Sequence, residues 1–237
     1  MLAAMARNIV VSEAGPIDAV VKARHNRPDL GDAARRLAAL DIGALGQARS
    51  GEERHLFVKL NSWHALALPL FRRAFPMVPW IFLYRDRLEI LVSQLKRRGM
   101  HMVPGLIGHD VFGFATSPST PTPETYCAEV LERIGEAVLR NYTPGRTLLV
   151  NYNELPAALW TGVLQYFGIS CSADDIAAMA QAARYDAKCP DQRFADDTAA
   201  KRNAATDQIR STAQQLAGLY ARLETLRLSP SRPPSPV

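Results

Sequence analysis

The sequence predicts an α/β domain of three layers, with helices on both faces of a mainly parallel sheet of about four strands. Two observations lead there. Four short runs are almost continuously apolar, as strands covered on both faces are: NIVVS (8–12), HLFVKL (55–60), WIFLY (80–84) and TLLVNY (147–152). Helix-period patterns fill the intervals between them, and strand–helix alternation marks a layered domain with parallel strands.

In chain order, IDAVVKARH and DAARRLAALDIGAL occupy 17–45, WHALALPLFRRAF follows the second strand, and RLEILVSQLKRR follows the third. PETYCAEVLERIGEAVLRNY (123–142) opens with Thr122 as N-cap and Pro123 at the first helical position, where its missing N–H costs nothing. After the last strand come LPAALWTGVLQYFG and SADDIAAMAQAARY, the latter with Ser172 and Asp175 spaced as a capping box. A long Ala- and Arg-rich helix is predicted over 198–226. Residues 100–122 read as a long loop of the kind that carries function. The ending LSPSRPPSPV is too poor in apolar groups to fold. The expected organisation is one domain over 1–227 and a disordered tail over 228–237, with no internal repeat.

Bulk properties exclude several classes. The 237 residues are 48% hydrophobic, ample for a core, yet hold no run of about 18 apolar residues that would span a bilayer. MLAAMARN at the start lacks the apolar length and cleavage signal of a secretory peptide. Cys127, Cys171 and Cys189 are odd in number, far apart and without metal-like spacing, which suits unpaired thiols in a reducing, cytoplasmic setting. No metal is implied. A formal charge of +5 and a pI near 9.3 fit an anionic ligand. The basic residues are scattered without interleaved aromatics, so nucleic acid is not indicated. Oligomeric state is not readable.

The most informative stretch is WIFLYRDRLEILVSQLKRRG, where a buried strand gives way to a helix at Arg85. In parallel sheets ligands sit at the carboxyl ends of strands, which is where Arg85 falls. Ser93 lies close to two turns along the following helix, on nearly the same face as its start. An anion along that face can take the Arg85 guanidinium and the Ser93 hydroxyl together, each charge-assisted bond being worth roughly 1.5–3 kcal/mol. The helix N-terminus adds partial positive charge. The plainer alternative is that Arg85 pairs with Asp86 or Glu89 and Ser93 only packs.

FLYRDRLEILVSQ resembles the signature by which sulfotransferases hold the 3′-phosphate of 3′-phosphoadenosine 5′-phosphosulfate (PAPS): a strand ending in Arg, an acidic/Pro turn, and Val-Ser, the serine eight residues after the Arg. Arg87 stands where the family usually has proline. VVSEAGPID resembles the segment carrying a glutamate base in one branch, HLFVKLNSW the next strand with its lysine, and LLVNYNELPAALWTGVLQYFGI the YEDL strand and the helix leading to FLG. The similarity covers about residues 8–170. It implies a P-loop sulfotransferase fold that moves a sulfuryl group from PAPS, as co-substrate, to a hydroxyl or amine acceptor. Arg85, Ser93 and Tyr152 would then bind the donor, Glu13 would be the base, and Lys59 would neutralise the leaving phosphosulfate.

Each residue has a bland counterpart. Glu13 can be a solvated carboxylate before Gly15-Pro16, Lys59 an edge-strand lysine that discourages aggregation, and Tyr152 an aromatic capping the sheet. His64 is a runner-up base or a packing residue beside Trp63, with Asn61 in the place where some sulfotransferases carry histidine. Asn153 replaces the family's usual acid, and Glu154 reads as structural. His101 and His109 line the long loop. Lys188, Lys201 and Arg202 fall where the family's late basic loop returns to the 3′-phosphate, but its RKG motif is missing.

The family's Gly-rich loop, whose backbone N–H groups cradle the 5′-phosphosulfate, has no counterpart in these 237 residues. MLAAMARN reads as the last turns of the helix that would follow it. The expectation adopted is that Met1 is an internal methionine of a longer protein. The rival expectation is a remnant without the donor cradle, which keeps a nucleotide site or acts in interactions. In that case the sheet lacks the strand that normally lies in its middle, and little sulfuryl transfer is expected.

Overall fold

All four apolar runs are strands in a computed structural model of the chain, which describes residues 1–114, 121–186, 189 and 191–229. They are β1 (Asn8–Ser12), β2 (His55–Lys59), β3 (Trp80–Tyr84) and β4 (Thr147–Asn151). The helices, in chain order, are α1 (Gly15–Asn26), α2 (Gly31–Leu45), α3 (Leu68–Ala74), α4 (Arg87–Lys96), α5 (Pro123–Arg140), α6 (Leu164–Tyr166), α7 (Ala173–Ala182), α8 (Thr198–Ala204), α9 (Asp207–Gln215) and α10 (Ala217–Leu228). The α/β class is therefore observed. Among the described residues, no helix is long and apolar enough to cross a membrane.

The expected sheet of about four strands is corrected to two parallel pairs. β1 pairs with β2, Asn8 opposite His55 through Ser12 opposite Lys59. β3 pairs with β4, Trp80 opposite Thr147 through Tyr84 opposite Asn151. Among the described residues no strand hydrogen-bonds to both pairs; the link from β2 to β3 holds a 3-10 turn (Ser62–Ala67) and α3. Two-stranded sheets also leave apolar strand residues uncovered: Val10, Leu56 and Leu83 are exposed, against the expectation of burial on both faces.

The chain divides into two compact units, Met1–Val78 with Pro156–Ala195, and Pro79–Leu155 with Asp196–Val237. In the first, Ala34 and Ala38 lie one turn apart on α2, so the helix approaches closely and packs with Val20 and Leu70. The helix around α6 includes a π-helical turn (Leu159–Val163) and stops at Gly168, whose φ of 70° is cheap only without a Cβ. The Ile169 N–H then donates to the Leu164 carbonyl at 2.9 Å. α7 has the predicted capping box: Ser172 Oγ accepts from the Asp175 N–H, and the Asp175 carboxylate accepts from the Ser172 N–H. That carboxylate also pairs with Arg7 at 2.9 Å, tying α7 to the entry of β1.

In the second unit, α4 is capped by Asp86, whose carboxylate accepts from the Leu88 and Glu89 N–H groups. Thr122 and Pro123 open α5 as predicted. Tyr126, Val130, Ile134 and Val138 recur every fourth residue along α5 and are buried. At Gly135 a Cβ would lie 2.6 Å from Leu219 Cδ2, so glycine is what lets α10 approach α5 this closely. The single helix expected over 198–226 is corrected to α8, α9 and α10. Ala205 is extended and Thr206 Oγ1 caps α9 by accepting from the Ile209 N–H at 3.2 Å, a local competitor that ends the longer helix. Residues 230–237 of the expected tail lie outside the described residues.

Leu91 on α4 has no exposed surface. Leu91→Ala is expected to lower unfolding free energy by about 2–5 kcal/mol through lost burial and the cavity left behind, as read from urea denaturation followed by circular dichroism.

Candidate functional site

Strand ends position the candidate groups in both units. At the end of β3, Tyr84 is buried and Arg85 carries its guanidinium towards α4 and α8. Arg85 Nε donates to Glu89 Oε2 at 2.7 Å, and Arg85 Nη2 donates to Asp197 Oδ1 at 2.8 Å. The Arg85 side chain is 18% exposed and Glu89 0%, whereas Asp197 is 51% exposed. Lys201 Nζ lies 2.6 Å from Asp197 Oδ2. Arg202 Nε lies 3.5 Å from Glu89 Oε1, a buried oxygen with no hydrogen bond of its own. Three cations thus surround two carboxylates, with a third carboxylate, Asp196, near enough to interact with Arg85 and Asp197. Desolvation works against charge on Arg85, but Glu89 and Asp197 outweigh it and hold the guanidinium above its ordinary range. Partial burial opposes the Asp197 carboxylate too, yet Lys201 and Arg85 keep its pKa low.

Tyr152 follows β4 in a turn whose capping box joins Asn151 and Glu154. The Arg85 guanidinium sits 4.6 Å from the centre of the Tyr152 ring, a cation–π distance. Glu154 also accepts from Arg227 at 2.6 Å, in keeping with its structural reading. Beside this group Tyr84 donates to Glu224, which also accepts from Asn151 at 3.0 Å and from Arg227 at 2.6 Å. Burial and the Glu224 carboxylate push the Tyr84 phenol far up. A cavity of about 380 Å³ opens here, lined among others by Arg87, Asn151, Asn153, Arg202, Tyr220 and Glu224.

Ser93 lies on α4, half-buried. No hydrogen bond to its hydroxyl is found among the described residues, and the Arg85 fork is turned onto Glu89 and Asp197 instead.

The first unit holds the other two candidates. Glu13 has φ of 51°, alone among described non-glycine residues in the left-handed region. Its N–H donates to the Lys59 carbonyl at 2.8 Å, and its Oε1 accepts from Lys59 Nζ at 2.6 Å. His64 is 1% exposed and packs edge-on to Trp63. Asp18 Oδ1 lies 2.7 Å from His64 Nε2, off the line of a good hydrogen bond, and takes an aligned bond from Asn61 Nδ2 at 3.0 Å. Burial therefore lowers the His64 pKa, against the opposing pull of Asp18 and Glu13. His64 has the packing position foreseen for it beside Trp63.

No protein-family model matches the chain, and no curated protein does.

Geometry brings together Arg85 with Tyr152, and Glu13 with Lys59. Lys201 contacts Asp197 and Arg202 approaches Glu89, the two carboxylates that Arg85 also meets; Lys188 lies outside the described residues. Asp197, Glu224 and Arg227 were missed: their local pairs, Asp197 with Lys201 and Glu224 with Arg227, do not show that they reach Arg85, Tyr84 and Glu154 across the chain. Among the described residues no group of three His, Cys, Asp or Glu could hold a metal ion.

A histidine whose folded pKa is depressed destabilises the fold as pH falls below its unfolded value of about 6.5. Thermal melts should therefore show a midpoint that falls from pH 7.5 to 5.5, and His64→Gln should remove most of that dependence.

Proposed function

We propose that this chain is a sulfotransferase-type domain that binds a 3′-phosphoadenosine nucleotide through Arg85, Lys201 and Arg202, with PAPS as the donor and a hydroxyl or amine compound as the acceptor. The observation that carries the reading is the gathering of three cations, Arg85, Lys201 and Arg202, at the carboxyl end of β3, around Glu89 and the half-exposed Asp197. A further feature supports it. Glu13, Lys59, Arg85 and Tyr152 all lie at or just beyond the carboxyl ends of strands, where parallel sheets bind ligands. Unpaired thiols suit a reducing, cytoplasmic setting.

A second reading has its own observation. The Arg85 fork is already filled by carboxylates, and Glu13 is tied to Lys59, which favours a non-catalytic domain that binds nucleotide or a partner. Turnover of labelled PAPS over a panel of phenols, sugars and amines separates the two readings.

Adenosine 3′,5′-bisphosphate is expected to raise the melting temperature of the chain, by an amount equivalent to about 2.7 kcal/mol at a hundred-fold excess over Kd. Arg85→Ala should abolish the shift. Equal shifts for wild type and Arg85→Ala would remove Arg85 from the site.

A further inference from the structure

We propose that the space between Arg85 and Lys201 is an anion seat that the chain fills with its own Asp197 carboxylate, so that a phosphate or sulfate group enters by displacing Asp197. This deepens the nucleotide reading above and rests on it.

The two carboxylates on Arg85 differ in their freedom to leave. Glu89 is wholly buried on α4, whereas Asp197 is 51% exposed. Asp197 is also not needed to cap α8. Although it stands at the N-cap position, its side chain makes no capping bond; the Thr198 N–H is taken by Asp196 Oδ1 at 2.9 Å. The Asp197 carboxylate is thus committed only to cations, Arg85 Nη2 at 2.8 Å and Lys201 Nζ at 2.6 Å, much as a bound anion would be.

Charge matching favours exchange. With Asp197 seated, Arg85, Lys201 and Arg202 face Glu89 and Asp197, with the Asp196 carboxylate close enough to interact with Arg85, so the group is near neutral. With Asp197 swung to solvent, the same three cations outnumber the remaining carboxylates, Glu89 and Asp196, which suits an incoming anion. A tetrahedral group also offers an oxygen more than a carboxylate does. Arg202, 56% exposed and only 3.5 Å from its nearest carboxylate oxygen, is the cation left to meet it. Lys201 stays close throughout, one turn along α8 from Asp197.

The test is isothermal titration of the full chain with adenosine 3′,5′-bisphosphate and, separately, inorganic sulfate. The forms compared are wild type, Asp197→Asn, Asp196→Asn and the double variant Arg85→Ala/Asp197→Asn. Asp197→Asn should tighten bisphosphate binding about ten-fold or more and sulfate binding in the same direction, and the double variant should lose both gains. Asp196→Asn removes a neighbouring charge but leaves the seat filled, so it should change affinity little. An equal gain from Asp196→Asn would assign the effect to net charge and overturn the seat. Bisphosphate binding to wild type that Asp197→Asn leaves unchanged would also overturn it, with the nucleotide reading intact. A sulfate gain that depends on Arg85, without bisphosphate binding to any form, would keep the seat and remove the nucleotide. Silence from both ligands in every form would overturn both.

Discussion

A guanidinium that keeps only 18% of its exposure has to find its counter-charges inside the fold, and the carboxyl end of β3 is arranged around that need. Asp86 starts α4, which puts Glu89 one turn along and under the Arg85 Nε. Glu89 in turn has no exposure, and a buried charge stripped of its partner costs several kcal/mol, typically about 3–5. Structural necessity therefore accounts for the Arg85–Glu89 pair with no ligand at all. It does not account for Lys201 and Arg202. One arginine against Glu89 and Asp197 is already overcompensated, and neither of the two further cations is needed to hold it. Those two cations, on the helix that follows the half-exposed Asp197, are what the proposed anion site adds to the anchor.

Parallel pairing fixes the other pair of candidates. Ser12 stands opposite Lys59, and the Glu13 N–H extends the ladder by one bond to the Lys59 carbonyl. The chain then turns at once into α1, with Pro16 in its first turn. Glu13 absorbs that turn at φ of 51°, a conformation that costs a non-glycine residue roughly 1–3 kcal/mol. A glycine could have stood there more cheaply. The Lys59–Glu13 contact at 2.6 Å gives the side chain a partner, though both groups are well exposed and such a pair returns little.

What could be read from sequence was local. The four strands, the Thr122 and Ser172 caps and the Arg85–Glu89 alternative each depend on residues within four positions of one another, where spacing alone sets geometry. The split of the sheet could not be read this way, because apolar runs do not say which strands share hydrogen bonds. The break at Thr206 was hidden by the Ala-rich pattern around it, although Thr followed by Asp is an N-cap signal. Asp197 was invisible for a plainer reason. It meets Arg85 across 112 residues of chain, and only the folded second unit brings them together.

The two units differ in what their charges leave available. In the first, Glu13 and Lys59 neutralise one another one to one, so proton acceptance by the carboxylate or stabilisation of a leaving group by the ammonium must begin by parting them. In the second, separating Asp197 from its cations uncovers a concentrated positive site rather than two isolated charges. An anion can offset the cost of that separation directly, since it forms with Arg85 and Lys201 the contacts that Asp197 gives up. Nothing comparable offsets the parting of Glu13 and Lys59 unless a substrate group of opposite charge meets each of them.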